Sequence, residues 1–171
     1  MILTYILIVL FIILDVVTKL IFSNIFSVGE MKVMIDNVLV FGYVQNTGAS
    51  FGMLEGQSVI FFIATIVALT LFGYLLSKAD IKHKRVYTIS LILLIGGTLG
   101  NAIDRMFYGY VIDFIQIPFL PIVGNTFFNV ADMGLNFGVI LMVIDMLFLE
   151  RKRLKVDNEQ NHSNQSESDA S

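Results

Sequence analysis

Four stretches of the chain, about 2–22, 58–77, 86–104 and 128–149, are each long and apolar enough to be membrane spans. A helix needs about 20 such residues to cross about 30 Å of hydrocarbon. Within lipid, every backbone N–H and C=O has to be satisfied inside the segment, so a span of this kind is helical. The expected architecture is an all-α membrane protein with four transmembrane helices. One embedded domain covers 1–155, and a tail covers 156–171. Of the 171 residues, 56% are hydrophobic, against about half in soluble domains. The excess is clustered in the four windows.

The charges are segregated, so the net charge of −3 says little. Eight of the eleven Lys and Arg residues lie in two places: Lys78, Lys82, Lys84 and Arg85 between the second and third windows, and Arg151, Lys152, Arg153 and Lys155 after the fourth. Basic loops stay in the cytoplasm. Both clusters fall on that side only if the spans alternate and both termini are cytoplasmic. Segments 23–57 and 105–127 then face outward. The first window has no basic leader region and no small-residue cleavage site, so it reads as a retained span.

Several chemistries lack the residues they need. The chain has no cysteine, which excludes thiol catalysis and disulfides. Its histidines, His83 and His162, fall in the basic loop and the tail. No metal site, His-based triad or cofactor site is expected among the helices. Nothing suggests a nucleic-acid partner; membrane lipid is the expected surrounding.

The polar residues of the spans and outward segments are the informative ones. Asp15 and Lys19 are four apart on the first helix and share a face. They read as an ion pair that lets both groups tolerate lipid, or as a brace for a polar site. Segment 23–57, with "NVLVFGYVQNTGASFGM", reads as short strands and turns forming a small sheet on the outer membrane surface. The second helix carries no charge and reads as scaffold. The third has Gly96 and Gly100 at small-xxx-small spacing, which lets helix backbones approach closely. Beyond them Asn101, Asp104 and Arg105 form one polar face. The apolar segment 106–127 holds both prolines, Pro118 and Pro121, so an unbroken helix is excluded there. It also holds Asp113. The fourth helix opens with Asn129, Asp132 and Asn136. Asp145 and Glu150, near Arg151 and Arg153 at its other end, read as an interfacial charge cluster. The tail has almost no apolar residues and is expected to be disordered.

A carboxylate at membrane depth is costly and usually functional. Asp113 precedes the last helix and Asp132 sits in its first turn, so the two could face each other. Two acids close together in a dry site cannot both ionise cheaply, and one keeps a proton. Such a pair supplies the general base and general acid that peptide hydrolysis requires. Alternatively each acid pairs separately with Arg105 or Lys19. A proton relay in a transporter also uses intramembrane acids, although four helices without internal repeats argue against it. A nonenzymatic assembly factor is a third option.

Five blocks carry a resemblance: "DVVTK" at 15–19, "NTGASF" at 46–51, "GNAIDR" at 100–105, "VIDF" at 111–114 and "FNVAD" at 128–132. In that order they resemble the signature motifs of the lipoprotein signal peptidases, the type II signal peptidases of bacteria. Val16 stands where Gln is common and Ser50 where Ala is common. The resemblance implies an aspartyl endopeptidase of the plasma membrane, with Asp113 and Asp132 as the catalytic pair. It implies substrate-binding or supporting roles for Asn46, Gly48, Asn101, Arg105 and Asn129. Asp15, Lys19, Asp104 and Asn136 are expected as structural polar residues. The implied substrates are prolipoproteins carrying diacylglycerol on the lipobox Cys, cut just before that Cys near the outer leaflet. The implied fold adds a small extracytoplasmic β-cradle and a short interfacial helix to the four spans, and the expected state is a monomer.

Overall fold

The computed structural model describes residues 2–48, 58–121 and 123–153. Four of its helices are long and apolar enough to cross a membrane. They are α1 (Ile2–Ile25), α2 (Ser58–Leu76), α3 (Arg85–Tyr108) and α4 (Val130–Ile144), the last continuing through a π turn, Asp145–Leu149. These match the four apolar windows of the sequence. A three-stranded antiparallel sheet stands at one end of the bundle, in the order β1 (Met31–Ile35), β2 (Leu39–Asn46), β3 (Val111–Gln116).

α3 is the central helix. More than half of its apolar window is buried, far more than in the other three, and it packs against α1, α2 and α4. Its glycines make this possible. A β-carbon on Gly97 would stand 2.6 Å from the Ala131 carbonyl oxygen, and one on Gly100 would stand 2.6 Å from Asp15 Oδ2. The outer faces of α1, α2 and α4 present Leu10, Leu14, Phe62, Val67, Phe137 and Ile140, the apolar surface that a lipid-facing helix needs.

The sheet is built partly from a segment whose strand character the sequence conceals. β1 and β2 form a hairpin in the region expected to hold strands, turning at Asn37, whose φ of 55° suits asparagine. The third strand comes from the proline-containing stretch. Gly109, in the left-handed conformation, ends α3 with its N–H on the Arg105 carbonyl, and the chain returns as β3. There Val111 pairs with Asn46, Ile112 with Gln45 and Asp113 with Val44. Pro118 and Pro121 fall in the turns that follow. Phe128 then bonds back to Ile115 in both directions, which brings the start of α4 alongside β3.

The short interfacial helix implied by the resemblance has no counterpart among the described residues. Segment 49–57, which completes the "NTGASF" block, and the tail 156–171 lie outside them.

Candidate active site

The polar residues of all these elements meet where the sheet joins the bundle. Asn129 is the centre. It is fully buried and is the N-cap of α4: its Oδ1 accepts the Asp132 N–H at 2.9 Å, and Asp132 Oδ2 accepts the Asn129 N–H at 3.2 Å. This capping box satisfies two N–H groups that a helix start leaves unpaired. It also fixes Asp132 in the first turn, where the positive end of the helix favours an anion.

The same asparagine reaches β3. Its Nδ2 donates to Asp113 Oδ1 at 2.6 Å. The two acids are thus tied to one side chain, one from a strand and one from a helix. Their other oxygens are also taken. Asn46 Nδ2 donates to Asp113 Oδ2 at 2.8 Å, and Asn101 Nδ2 donates to Asp132 Oδ1 at 2.7 Å. Among the described residues, every donor to the four oxygens is an amide. Among the described residues, no ion pair includes either acid; the buried cation of this region, Lys19, pairs with Asp15 at 2.7 Å and Asp104 at 2.9 Å.

Amide donors orient a carboxylate without neutralising it. Asp113 is 1% exposed, and burial pushes its carboxyl up to about 7. The Asp132 charge pushes the same way, while the Asn46 and Asn129 amides and the Lys19 ammonium oppose it. Near neutral pH Asp113 therefore exchanges a proton readily, beside a second acid.

A cavity of about 680 Å³ opens next to this cluster. Asn46, Gly48, Asn101, Arg105, Asp132 and Asn136 supply its polar wall. The rest is mostly apolar, with Phe61 and Ala68 from α2 and Leu120 and Phe127 from the proline segment. Asp132 is half-buried and faces the cavity, whereas Asp113 lies behind Asn46.

The remaining polar residues have defined places. Gly48 donates its N–H to Asn46 Oδ1 and accepts Arg105 Nη2 through its carbonyl. Arg105 also donates to the Asn101 carbonyl and lies 4.3 Å from the centre of the Phe61 ring. Asn136 donates to the Asp132 carbonyl one turn back. Asp15, Lys19 and Asp104 are buried behind the acids and do not line the cavity. Nothing local marks Phe61 in the sequence, since an aromatic residue in an apolar helix looks like any lipid-facing one. Among the described residues, no group of His, Cys, Asp and Glu could hold a metal ion.

The chain matches the family model of signal peptidase (SPase) II over residues 7–148. A lipoprotein signal peptidase of Latilactobacillus sakei is 42% identical over 127 residues, 73% of this chain and 80% of that protein. Another, of Halalkalibacterium halodurans, is 38% identical over 154 residues, 90% of this chain and 97% of its own length. Among solved structures, a bacterial membrane enzyme determined by the in meso method superposes with a TM-score of 0.74 at 34% identity, covering 85% of this chain and 92% of that one. With Asn46, Asn101, Arg105 and Asp132 of the motif blocks lining one cavity and the match running through all four spans, the chain belongs to the signal peptidase II family of membrane proteases.

Proposed function

We propose that the chain is an aspartyl endopeptidase that removes signal peptides from diacylglyceryl-modified prolipoproteins, cutting just before the lipidated Cys. The observation that supports this reading is the linkage of Asp113 and Asp132 through Asn129, beside a cavity and, among the described residues, without an ion pair to either acid.

The chemistry follows from one shared proton. The ionised acid takes a proton from water as the water attacks the scissile carbonyl. The protonated acid donates to the departing amine, and the pair is left ready for another cycle. The pair titrates as a unit, so the proton belongs to both. Arg105 carries a permanent planar charge on the cavity wall, suited to a substrate carbonyl or phosphate. Asn46, Gly48, Asn101 and Asn129 hold the acids and shape the wall. The apolar lining suits acyl chains and the signal helix.

The basic loop and the basic end of α4 are placed in the cytoplasm, with both termini. The sheet and the acids then lie near the outer leaflet of the plasma membrane, at the depth of a lipid-anchored Cys. The enzyme acts as a monomer.

A gel assay with purified diacylated prolipoprotein tests this. Asp113→Asn and Asp132→Asn each lower turnover by about a thousandfold or more, while both proteins insert and accumulate normally. Normal cleavage by both variants would remove the two-acid mechanism. The unlipidated precursor is a poor substrate; equal cleavage of both forms would show that the lipid is not recognised.

A further inference from the structure

Lys19 lies outside the cavity lining and is 1% exposed. Its Nζ meets three acceptors, Asp15 Oδ2 at 2.7 Å, Asp104 Oδ2 at 2.9 Å and Asn101 Oδ1 at 3.0 Å. An ammonium donates and cannot accept, so each of these three groups turns an oxygen towards it. Resting on the two-acid reading above, we propose that Lys19 is a positioning residue for both acids. It sets the direction of the amide chain that serves them and anchors the backbone just ahead of each.

The first arm runs through the amides. The oxygen and nitrogen of an asparagine side chain have nearly the same shape, so a partner has to decide which faces where. An ammonium accepts nothing, so it compels Asn101 to turn Oδ1 towards Lys19. Nδ2 of Asn101 then has to face Asp132 Oδ1, which it meets at 2.7 Å. Asn101 Oδ1 takes a second donor, Asn129 Nδ2, at 3.2 Å. That nitrogen also donates to Asp113 Oδ1. A flipped Asn101 would set oxygen against oxygen at Asp132.

The other two arms are carboxylates. Asp104 Oδ2 accepts the N–H of Ile112 at 3.0 Å, the residue before Asp113. Asp15 Oδ1 accepts the N–H of Ala131 at 2.8 Å, the residue before Asp132. One ammonium therefore governs the strand that presents the first acid, the helix that presents the second, and the amides between them.

The informative variant is Lys19→Met combined with Asp104→Asn. Lys19, Asp15 and Asp104 together carry one net negative charge, and the double variant carries the same, while Asn at position 104 can still accept the Ile112 N–H. We expect kcat to fall about a hundredfold with KM nearly unchanged, because the acids lose alignment and the cavity wall does not. Combining this variant with Asn101→Ala should lower kcat by less than the product of the two separate losses, since they share the amide arm. Lys19→Met by itself should also move the alkaline limb of the pH profile upward. The charged groups that face Asp113 are Asp132 from α4, Lys19 from α1 and Arg105 from α3, and removing a nearby cation makes the acid hold its proton longer.

Three results would overturn the proposal. The double variant could turn over at the wild-type rate while Asp113→Asn and Asp132→Asn are inactive, which spares the two acids and removes Lys19. The losses of Lys19→Met/Asp104→Asn and Asn101→Ala could multiply. The double variant could fail to accumulate in membranes, which would make Lys19 a folding residue. Active Asp113→Asn and Asp132→Asn proteins would instead strike the two-acid reading itself.

Discussion

Each end of the bundle holds an acid on α4, half-buried at the sheet end and buried at the far end, and the two acids are treated differently. At the far end Asp145 is 1% exposed. Arg153 grips it with two bonds, Nη1 to Oδ1 at 3.1 Å and Nη2 to Oδ2 at 2.6 Å. The intervening π turn holds one extra residue, so a position eight residues on returns to the face that seven would reach in a regular helix. At the sheet end Asp132 has amide donors and, among the described residues, no guanidinium bonded to it. What differs is whether the neighbour cancels the charge or merely aims the oxygens. A permanent planar cation makes a closed pair; amides leave the acid free to exchange a proton.

The sharpest break of this contrast is in turnover. Asp132→Asn should cost about a thousandfold, whereas Asp145→Asn should leave cleavage within about twofold of wild type, because no bond connects that pair to the cavity. The stability order is the reverse. Losing one partner of a buried pair costs about 1–3 kcal/mol here, less than in a fully dry pair because the Arg153 side chain is 27% exposed. Thermal unfolding in detergent micelles should show it for Asp145→Asn. An inactive but stable Asp145→Asn protein would erase the distinction between the ends.

A smaller effect separates the ends by pH. Asp113 keeps its proton up to about 7, against 3.8 ordinarily. Folding therefore favours its neutral form. The stability this contributes is complete below the unfolded value and is lost as pH climbs through the folded one. Between about pH 5 and about pH 8, wild type should lose melting temperature relative to Asp113→Asn, which has no proton to lose. Parallel melting curves across that range would show that Asp113 is already ionised, and would remove it as the proton carrier. Turnover should likewise decline above about pH 7, as the shared proton leaves.

The sequence discloses the two ends unequally. The four spans are plain because each is a local run of apolar residues. The Asp15–Lys19 pair is plain because four residues make one helical turn. What Lys19 touches on α3 is hidden, since the contact with Asp104 and Asn101 needs α1 seated against glycines far along the chain. β3 is hidden for a similar reason: Val111–Gln116 becomes a strand by pairing with β2, and the prolines beyond it, Pro118 and Pro121, draw attention to the turns instead. Asp113 and Asp132 are legible as unusual acids, and the motif blocks join them, yet Asn129 as the joint between them emerges only from folding. Asp145 reads as part of an interfacial charge cluster, but the structure buries it. Nothing local announces that Arg153, eight residues on, bends back over it.

The least of these effects concerns two glycines, one at each end. Gly73, near the far end of α2, has open space where a β-carbon would go, with nothing within 4 Å. Gly73→Ala should leave turnover unchanged and melting equal or slightly raised, since alanine favours a helix by up to about 1 kcal/mol. Gly100, which the small-xxx-small spacing marks for close packing, has a different setting. Its β-carbon would meet Asp15 Oδ2 at 2.6 Å and the Ala131 β-carbon at 3.2 Å. That oxygen cannot simply swing away, because Lys19 holds it at 2.7 Å while the other oxygen holds the Ala131 N–H. The methyl group has to displace either the Asp15 carboxylate or the start of α4, and both lead to Asp132. Gly100→Ala should therefore slow cleavage about tenfold, with KM changed less than kcat. If Gly100→Ala instead melts early and the surviving enzyme works at the normal rate, the glycine serves packing alone. Tension at α1 and α3 would then not reach the acids, and the sheet end would be no more finely set than the far one.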